Sequence, residues 1–271
     1  MAAAALLVVA LLVFLLWRAV GPARDRYWER IQRTGEWRVA MDPSFPPFEM
    51  LDAEGRPIGF DVDLASAIAQ RWGVALRVES IGFDGLLDAV WAGKVDSVVS
   101  AMPLQPQFSR DVAFSSPYFE AGLVVVLPSA DNGVAGLEDL AGRRVAVEWG
   151  SEADVQARGL RRRWPDLQIV PKETAAAALE AVVAGEADAA LADHVTALQF
   201  IGGGGQARLL TVPEPDGSPR LFTLVSDPYV VVMPKRAPVL QAQVEAALQA
   251  LAAEGILDAL TEKWFGVASP P

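Results

Sequence analysis

The sequence predicts an α/β fold of two similar lobes, each a mostly parallel sheet covered by helices. Three observations carry that prediction. Leu87-Asp-Ala-Val-Trp-Ala-Gly-Lys-Val-Asp96 matches Leu179-Glu-Ala-Val-Val-Ala-Gly-Glu-Ala-Asp188 at Leu, Ala, Val, Ala, Gly and Asp, and in each copy an apolar helix stops at a glycine and re-emerges as a short apolar strand. Upstream of both, Arg38-Val-Ala-Met-Asp42 matches Arg144-Val-Ala-Val-Glu148. Two crossover signals, Ser115-Ser-Pro-Tyr118 before Gly122–Leu127 and Ser226-Asp-Pro-Tyr229 before Val230–Met233, mark where the chain passes between the copies and back. Two copies of one plan joined twice imply a hinge and a cleft.

The N-terminal 35 residues read as a separate unit. Ala2 to Trp17 is an uninterrupted apolar run, close to a signal-peptide core or a short membrane helix, since a spanning helix needs about 20 apolar residues. Gly21-Pro22-Ala23 is a poor small-x-small cleavage site, which favours an uncleaved anchor over a removed signal peptide. Asp25 to Thr34 is then a charged helical spacer.

The first lobe opens at Trp37. Trp37–Met41 reads as a buried strand that ends at Asp42-Pro43, a turn that leaves a carboxylate at the strand's C-terminal end. Pro46-Pro47 bars helix, and Asp52-Ala-Glu-Gly55 turns between two short extended segments. From Asp61 the period becomes helical, with Val62, Ala65, Ile68 and Ala69 on one face and Asp61 and Asp63 in the first turn. Lobe 1 is expected to comprise residues 36–118 and 229–266, and lobe 2 residues 119–228. Gly202–Gly205 follows a helix without the spacing of a nucleotide loop and reads as a flexible connection.

The motifs D-x-x-F-P-P-F-E, G-F-D-V-D-L and E-K-W-F-G, spread from Asp42 to Gly266, resemble those of the family 3 extracytoplasmic solute-binding proteins, receptors of ABC importers for amino acids and related polar solutes. The resemblance implies a type II periplasmic-binding-protein-like fold closing around a ligand. It implies an extracytoplasmic location, although Arg18, Arg24 and Arg26 follow the apolar run and by themselves would retain the folded part in the cytoplasm. The expected partners are a small-molecule ligand, an ABC permease and the membrane through the N-terminal segment, and the chain is expected to be a monomer.

Ligands of parallel α/β sheets lie beyond the C-terminal ends of strands. The repeats place Asp42 and Glu148 there, then Ser100-Ala101 and their counterparts Ala192-Asp193. The resemblance adds Phe45 and Phe83 to the pocket and assigns Asp193 to an α-ammonium group. Trp149, Ser151 and Glu152 belong to a turn at a helix N-terminus whose N–H groups would seat an anion. One position departs from the family. The T-x-T-P-E-R that precedes F-S-x-P-Y is here Pro103-Leu-Gln-Pro-Gln-Phe108, so Pro103 replaces a hydroxyl and, counted back from Phe114, Phe108 replaces the arginine that would clamp the ligand's carboxylate. Arg110 and Arg144 are the candidate replacements. Without a clamp, acids beside aromatic rings point to a ligand bearing an ammonium or similar cation.

Each of these residues also has a purely architectural role open to it. Asp42 suits a turn, Phe83 and Phe108 suit the lobe core, and Glu148 and Glu152 suit a solvated rim or a helix start. Charge narrows the classes further: 34 acidic against 23 basic residues give a net charge of -11, which repels nucleic acid. The sequence has no cysteine, so disulfides, thiolate metal sites and a lipid-modified cysteine are excluded. No cofactor is implied, and His194, the single histidine, reads as a helix-start residue instead of the centre of a metal site or a triad. Two other classes use this fold: a dehydratase or lyase with Glu148 or Glu152 as general acid, and an anchored sensor, which would expect a fused kinase or channel segment.

Overall fold

The structure is a computed structural model and describes residues 25–267. The apolar run at residues 2–17 lies outside them; among the described residues no helix is long and apolar enough to cross a membrane.

Two sheets share one plan. In the first, the strand order is Ala75–Ser80, Glu36–Met41, Ser97–Val98, Val232–Pro234, Val112–Phe114. The first three run parallel, and Val232–Pro234 is antiparallel to both its neighbours. In the second, Gln168–Lys172, Arg144–Glu148 and Ala189–Asp193 are parallel, and Leu123–Pro128 is antiparallel to Ala189–Asp193, with Ala207–Leu209 and Thr223–Val225 pairing along it. The register is also the same: Val39 and Ala40 face Ser97 and Val98, as Val145 and Ala146 face Ala189 and Ala190. Ser100 and Ala101 therefore occupy the positions of Ala192 and Asp193.

The matching arginines and aspartates explain why the repeat is written as it is. Asp96 accepts from the Arg38 backbone N–H at 2.9 Å and from its guanidinium at 3.1 and 3.3 Å, and Asp188 does the same for Arg144 at 2.8, 2.8 and 3.3 Å. Each fork ties the start of one strand to the start of its neighbour, at the sheet end remote from the ligand side. Arg30 adds a second guanidinium to the fully buried Asp96. Arg144 is thus committed to Asp188 and is not a replacement for the missing clamp.

Between the sheets, Phe119–Glu120 pairs antiparallel with Pro228–Tyr229. Phe48 lies within 5.0–5.6 Å, centroid to centroid, of Phe60, Phe119, Tyr229 and Phe265, and Phe119 stacks at 5.4 Å on His194 of the helix His194–Gly202. One apolar core therefore runs continuously from the first sheet through the crossover to the second. Gly202 belongs to that packing instead of acting as a loose spacer, because a Cβ there would sit 1.7 Å from the Phe265 carbonyl oxygen. Gly59 has the corresponding role in the first lobe: with φ +141°, its missing Cβ makes room for the Phe48 carbonyl at 2.1 Å. That approach lets Phe48 accept from Asp61 N at 2.9 Å and folds residues 45–49 over the start of the helix Phe60–Trp72.

Candidate functional site

The C-terminal ends of the parallel strands open into two cavities, one on each sheet. The first, of about 300 Å³, is lined by Asp42, Ser44, Phe45, Glu49, Phe83, Ser100, Ala101, Pro103 and the crossover residue Tyr229. Phe45 and Phe83 are each 45% exposed, so two large rings face the opening instead of the core. The Asp42 carboxylate accepts from Phe83 N at 2.8 Å, which holds the turn carrying that ring. Asp42 therefore has the turn-holding role as well as a place in the cavity wall.

Behind these residues lies a polar chain. The Asp42 backbone N–H donates to Ser100 Oγ at 3.0 Å, and Ser100 donates to Glu49 Oε1 at 2.6 Å. Asp61, fully buried, accepts from the Ala101 N–H and from the Tyr118 hydroxyl at 3.0 Å. Its bond to Ala101 holds that residue at φ +40°, the one positive φ on a non-glycine residue among those described. Glu49 Oε2 and Asp61 Oδ1 have no hydrogen-bond donor. Burial, then the neighbouring Asp61 charge, pushes the Glu49 carboxyl up to about 10, so at neutral pH it is protonated. A protonated Glu49 donating to Asp61 satisfies both orphaned oxygens and leaves the pair with one negative charge.

The second cavity, of about 460 Å³, is lined by Glu148, Ser151, Glu152, Asp193 and Asp227 together with apolar and small residues, among them Ala121, Gly122 and Ala192. Asp193 is exposed and caps the helix His194–Gly202, accepting from Thr196 N at 2.8 Å. Burial, then the charges of Glu120 and Glu152, holds the Asp227 carboxyl above the usual carboxylate range. In the turn before the helix Glu152–Arg163, three of the backbone N–H groups are already engaged within the protein. The N–H of Trp149 donates to Lys172 O, that of Ser151 to Glu148 O, and that of Gly150 to the Asp154 carboxylate at 3.0 Å. Asp154 is the anion at that helix start, and Arg158 neutralises it.

Ten of the twelve residues chosen from the sequence thus line cavities, six on the first sheet and four on the second. Asp42 and Asp193 do not share one cavity, as the sequence reading expected; each lines that of its own lobe, with the crossover strands between. Two residues lie elsewhere. Phe108 is half-buried and packs against the first lobe's cluster that contains Ala40, Leu86 and Val98, and Trp149 is 71% exposed on the rim. Arg110 lines neither cavity and makes no ion pair among the described residues. Sequence reasoning passed over Glu49, Tyr229 and Asp227, although Glu49 closes the F-P-P-F-E motif and the other two lie in Ser226-Asp-Pro-Tyr229.

Comparison with known proteins identifies the architecture. Residues 37–267 match the bacterial extracellular solute-binding proteins, family 3. The chain belongs to that family. Among its relatives, the amino-acid-binding protein AabA of Dichelobacter nodosus is 27% identical over 82% of this chain and 85% of its own. The ABC transporter arginine-binding protein 1 of Escherichia coli is 25% identical over 83% and 88%. Among solved structures, an ancestral cyclohexadienyl dehydratase is 26% identical and superimposes with a TM-score of 0.75 over 91% of this chain and 98% of its own.

Proposed function

We propose that this family 3 protein is an amino-acid receptor of an ABC importer whose ligand carries an ammonium or guanidinium group, gripped as the two lobes close. The observation that carries the reading is the charge of the two cavities. Besides the protonated Glu49, five carboxyl groups line them, Asp42 on one side and Glu148, Glu152, Asp193 and Asp227 on the other, and no lysine or arginine is among the lining residues. Bringing those walls together without a cation between them would set like charges against one another in a cleft that sheds water. A cationic ligand removes that repulsion.

The rings of Phe45, Phe83 and Tyr229 suit the same class, since a cation over an aromatic face gains about 0.5–2 kcal/mol beyond its ion pairs. The arginine-binding relative in Escherichia coli supports a cationic amino acid as the ligand class. Two positions speak against a family-type carboxylate clamp: Phe108 is a half-buried ring packed against the core, and Arg144 is engaged by Asp188. The α-carboxylate is thereby dispensable. Family membership supports capture outside the cytoplasm and delivery to a permease.

A thermal-shift screen tests the reading. L-arginine, L-lysine and simple diamines at about 100 times their Kd should each stabilise the protein by about 2.7 kcal/mol, a rise of about 5–10 °C in Tm for a domain of this size. Stabilisation by L-glutamate or L-aspartate, with no response to the amines, would contradict it.

A further inference from the structure

On the first lobe, at the sheet end remote from both acid-lined cavities, lies a third cavity of about 340 Å³ with the opposite charge. Arg26, Arg110, Lys235 and Arg236 line it, with Asp111 the only acid and Tyr27, Val90, Trp91 and Pro234 completing the wall. Strand direction fixes its position. Val232–Pro234 runs antiparallel to the strand that leads to Ser100, so Pro234 and the cations after it emerge opposite Asp42. Arg110 arrives beside them because Val112 pairs with Pro234.

Among the described residues none of the four cations is in an ion pair, whereas twelve arginines and lysines elsewhere are, as the pairs from Arg30–Asp96 to Lys263–Asp63 show; Arg33, Lys94 and Arg161–Arg163 are unpaired too but do not line this concavity. Arg26 is turned only toward the Tyr27 hydroxyl, at 2.9 Å. In a chain of net charge -11, four uncompensated cations around one concavity are a local reversal of sign. Trp91 stands in the same wall with 53% of its surface exposed, the amphipathic ring that favours a membrane–water interface.

The described residues begin beside this cavity, at Asp25. Asp25 is bolted down by four backbone N–H groups, those of Tyr27 and Trp28 to one oxygen and those of Val239 and Leu240 to the other, at 2.9–3.1 Å. Only residues 18–24, with Arg18 and Arg24 among them, separate that fixed point from the apolar run ending at Trp17. Fully extended, seven residues reach about 25 Å.

We infer that this basic cavity is a binding site for the phosphate headgroups of anionic phospholipids, which seats the first lobe on the membrane face with the acid-lined cavities turned away from it. The contact is electrostatic and shallow. It acts within about a Debye length of the bilayer, and each cation adds to the attraction. Within a chain of net negative charge, this basic wall is suited to an anionic surface.

The test is partition of the full chain onto phosphatidylcholine vesicles with and without phosphatidylglycerol, at low and at high salt, against the variant Arg110→Gln/Lys235→Gln/Arg236→Gln. All three side chains are exposed and unpaired, so the variant should keep the parental Tm. Phosphatidylglycerol should raise partition of the parent about ten-fold or more at low salt, and the variant and high salt should both abolish the gain. Partition onto phosphatidylcholine alone should be equal for the two chains, because it reports the apolar segment. An undiminished gain in the variant, no gain in the parent, or displacement by free glycerol phosphate at the same phosphate concentration would overturn the lipid site. The last result would make it a site for a soluble phosphate ester. Amine binding at the other sheet end is read separately and stands or falls independently.

Discussion

Glu49 is where the chemistry of single residues departs most from habit. Folded, its carboxyl holds a proton up to about pH 10, whereas unfolded it releases that proton near 4.5. In the interval the unfolded state binds fewer protons, so stability falls as pH rises, and the contribution is fully present only below the unfolded value. Asp61, raised to about 6 chiefly by burial, adds in the same direction at the acid end. Urea unfolding from pH 5 to 9 should show a decline on the order of a few kcal/mol. Glu49→Gln keeps an acceptor for Ser100 and a donor for Asp61, and it should flatten that decline. An unchanged slope in the variant would mean that Glu49 is ionised in the native state. The motif containing Glu49 was visible in the sequence, but its partner was not. The two acids meet because Met50–Leu51 and Pro57–Ile58 form a hairpin and Gly59 admits the Phe48 carbonyl, and no periodicity encodes such a contact.

At the scale of elements, the repeat proved the most informative part of the sequence. Equal spacing from arginine to aspartate in the two copies is an equal strand register, and the register assigns Ser100-Ala101 and Ala192-Asp193 to equivalent sheet ends. The two forks should differ in worth. Asp96 is buried and faces two guanidiniums that are each about a fifth exposed, so Asp96→Ala should cost about 2–4 kcal/mol in denaturant unfolding. Asp188 and Arg144 are 29% and 40% exposed, and Asp188→Ala should cost about 1 kcal/mol or less. Glycines were harder to read. A run of four suggests slack, yet Gly202 is held against the Phe265 carbonyl at a contact that crosses between the second lobe and the C-terminal helix Ile256–Phe265. Gly202→Ala should destabilise by about 1–3 kcal/mol, whereas Gly204→Ala meets no neighbouring atom and should lose only the cost of its φ of +96°.

For the whole molecule, the two-lobed plan followed from the repeat and the crossovers, because the hydrophobic pattern and the turn chemistry agree. Placement within the site was legible wherever a residue sits at a strand end. It was less so where it relied on a gap-free count or on a turn's position alone: Phe108 is half-buried against the lobe core, and the N–H groups of Trp149, Gly150 and Ser151 are engaged within the protein. The separation of Asp42 and Asp193 into two cavities is likewise invisible in sequence, since the angle between lobes is set by the crossover and its ring cluster. Closure on a ligand should bring them together, and small-angle scattering should record a smaller radius of gyration with L-arginine than without.

The central claim, that carboxylates grip the cationic end of the ligand and no arginine clamps an α-carboxylate, is most directly tested by calorimetric titration with L-arginine and with agmatine, which is arginine lacking its carboxylate. The account expects the two affinities to lie within about ten-fold, since losing a charge-assisted clamp costs more than about 1.4 kcal/mol only where a clamp exists. Tight binding of arginine with no measurable binding of agmatine would contradict it.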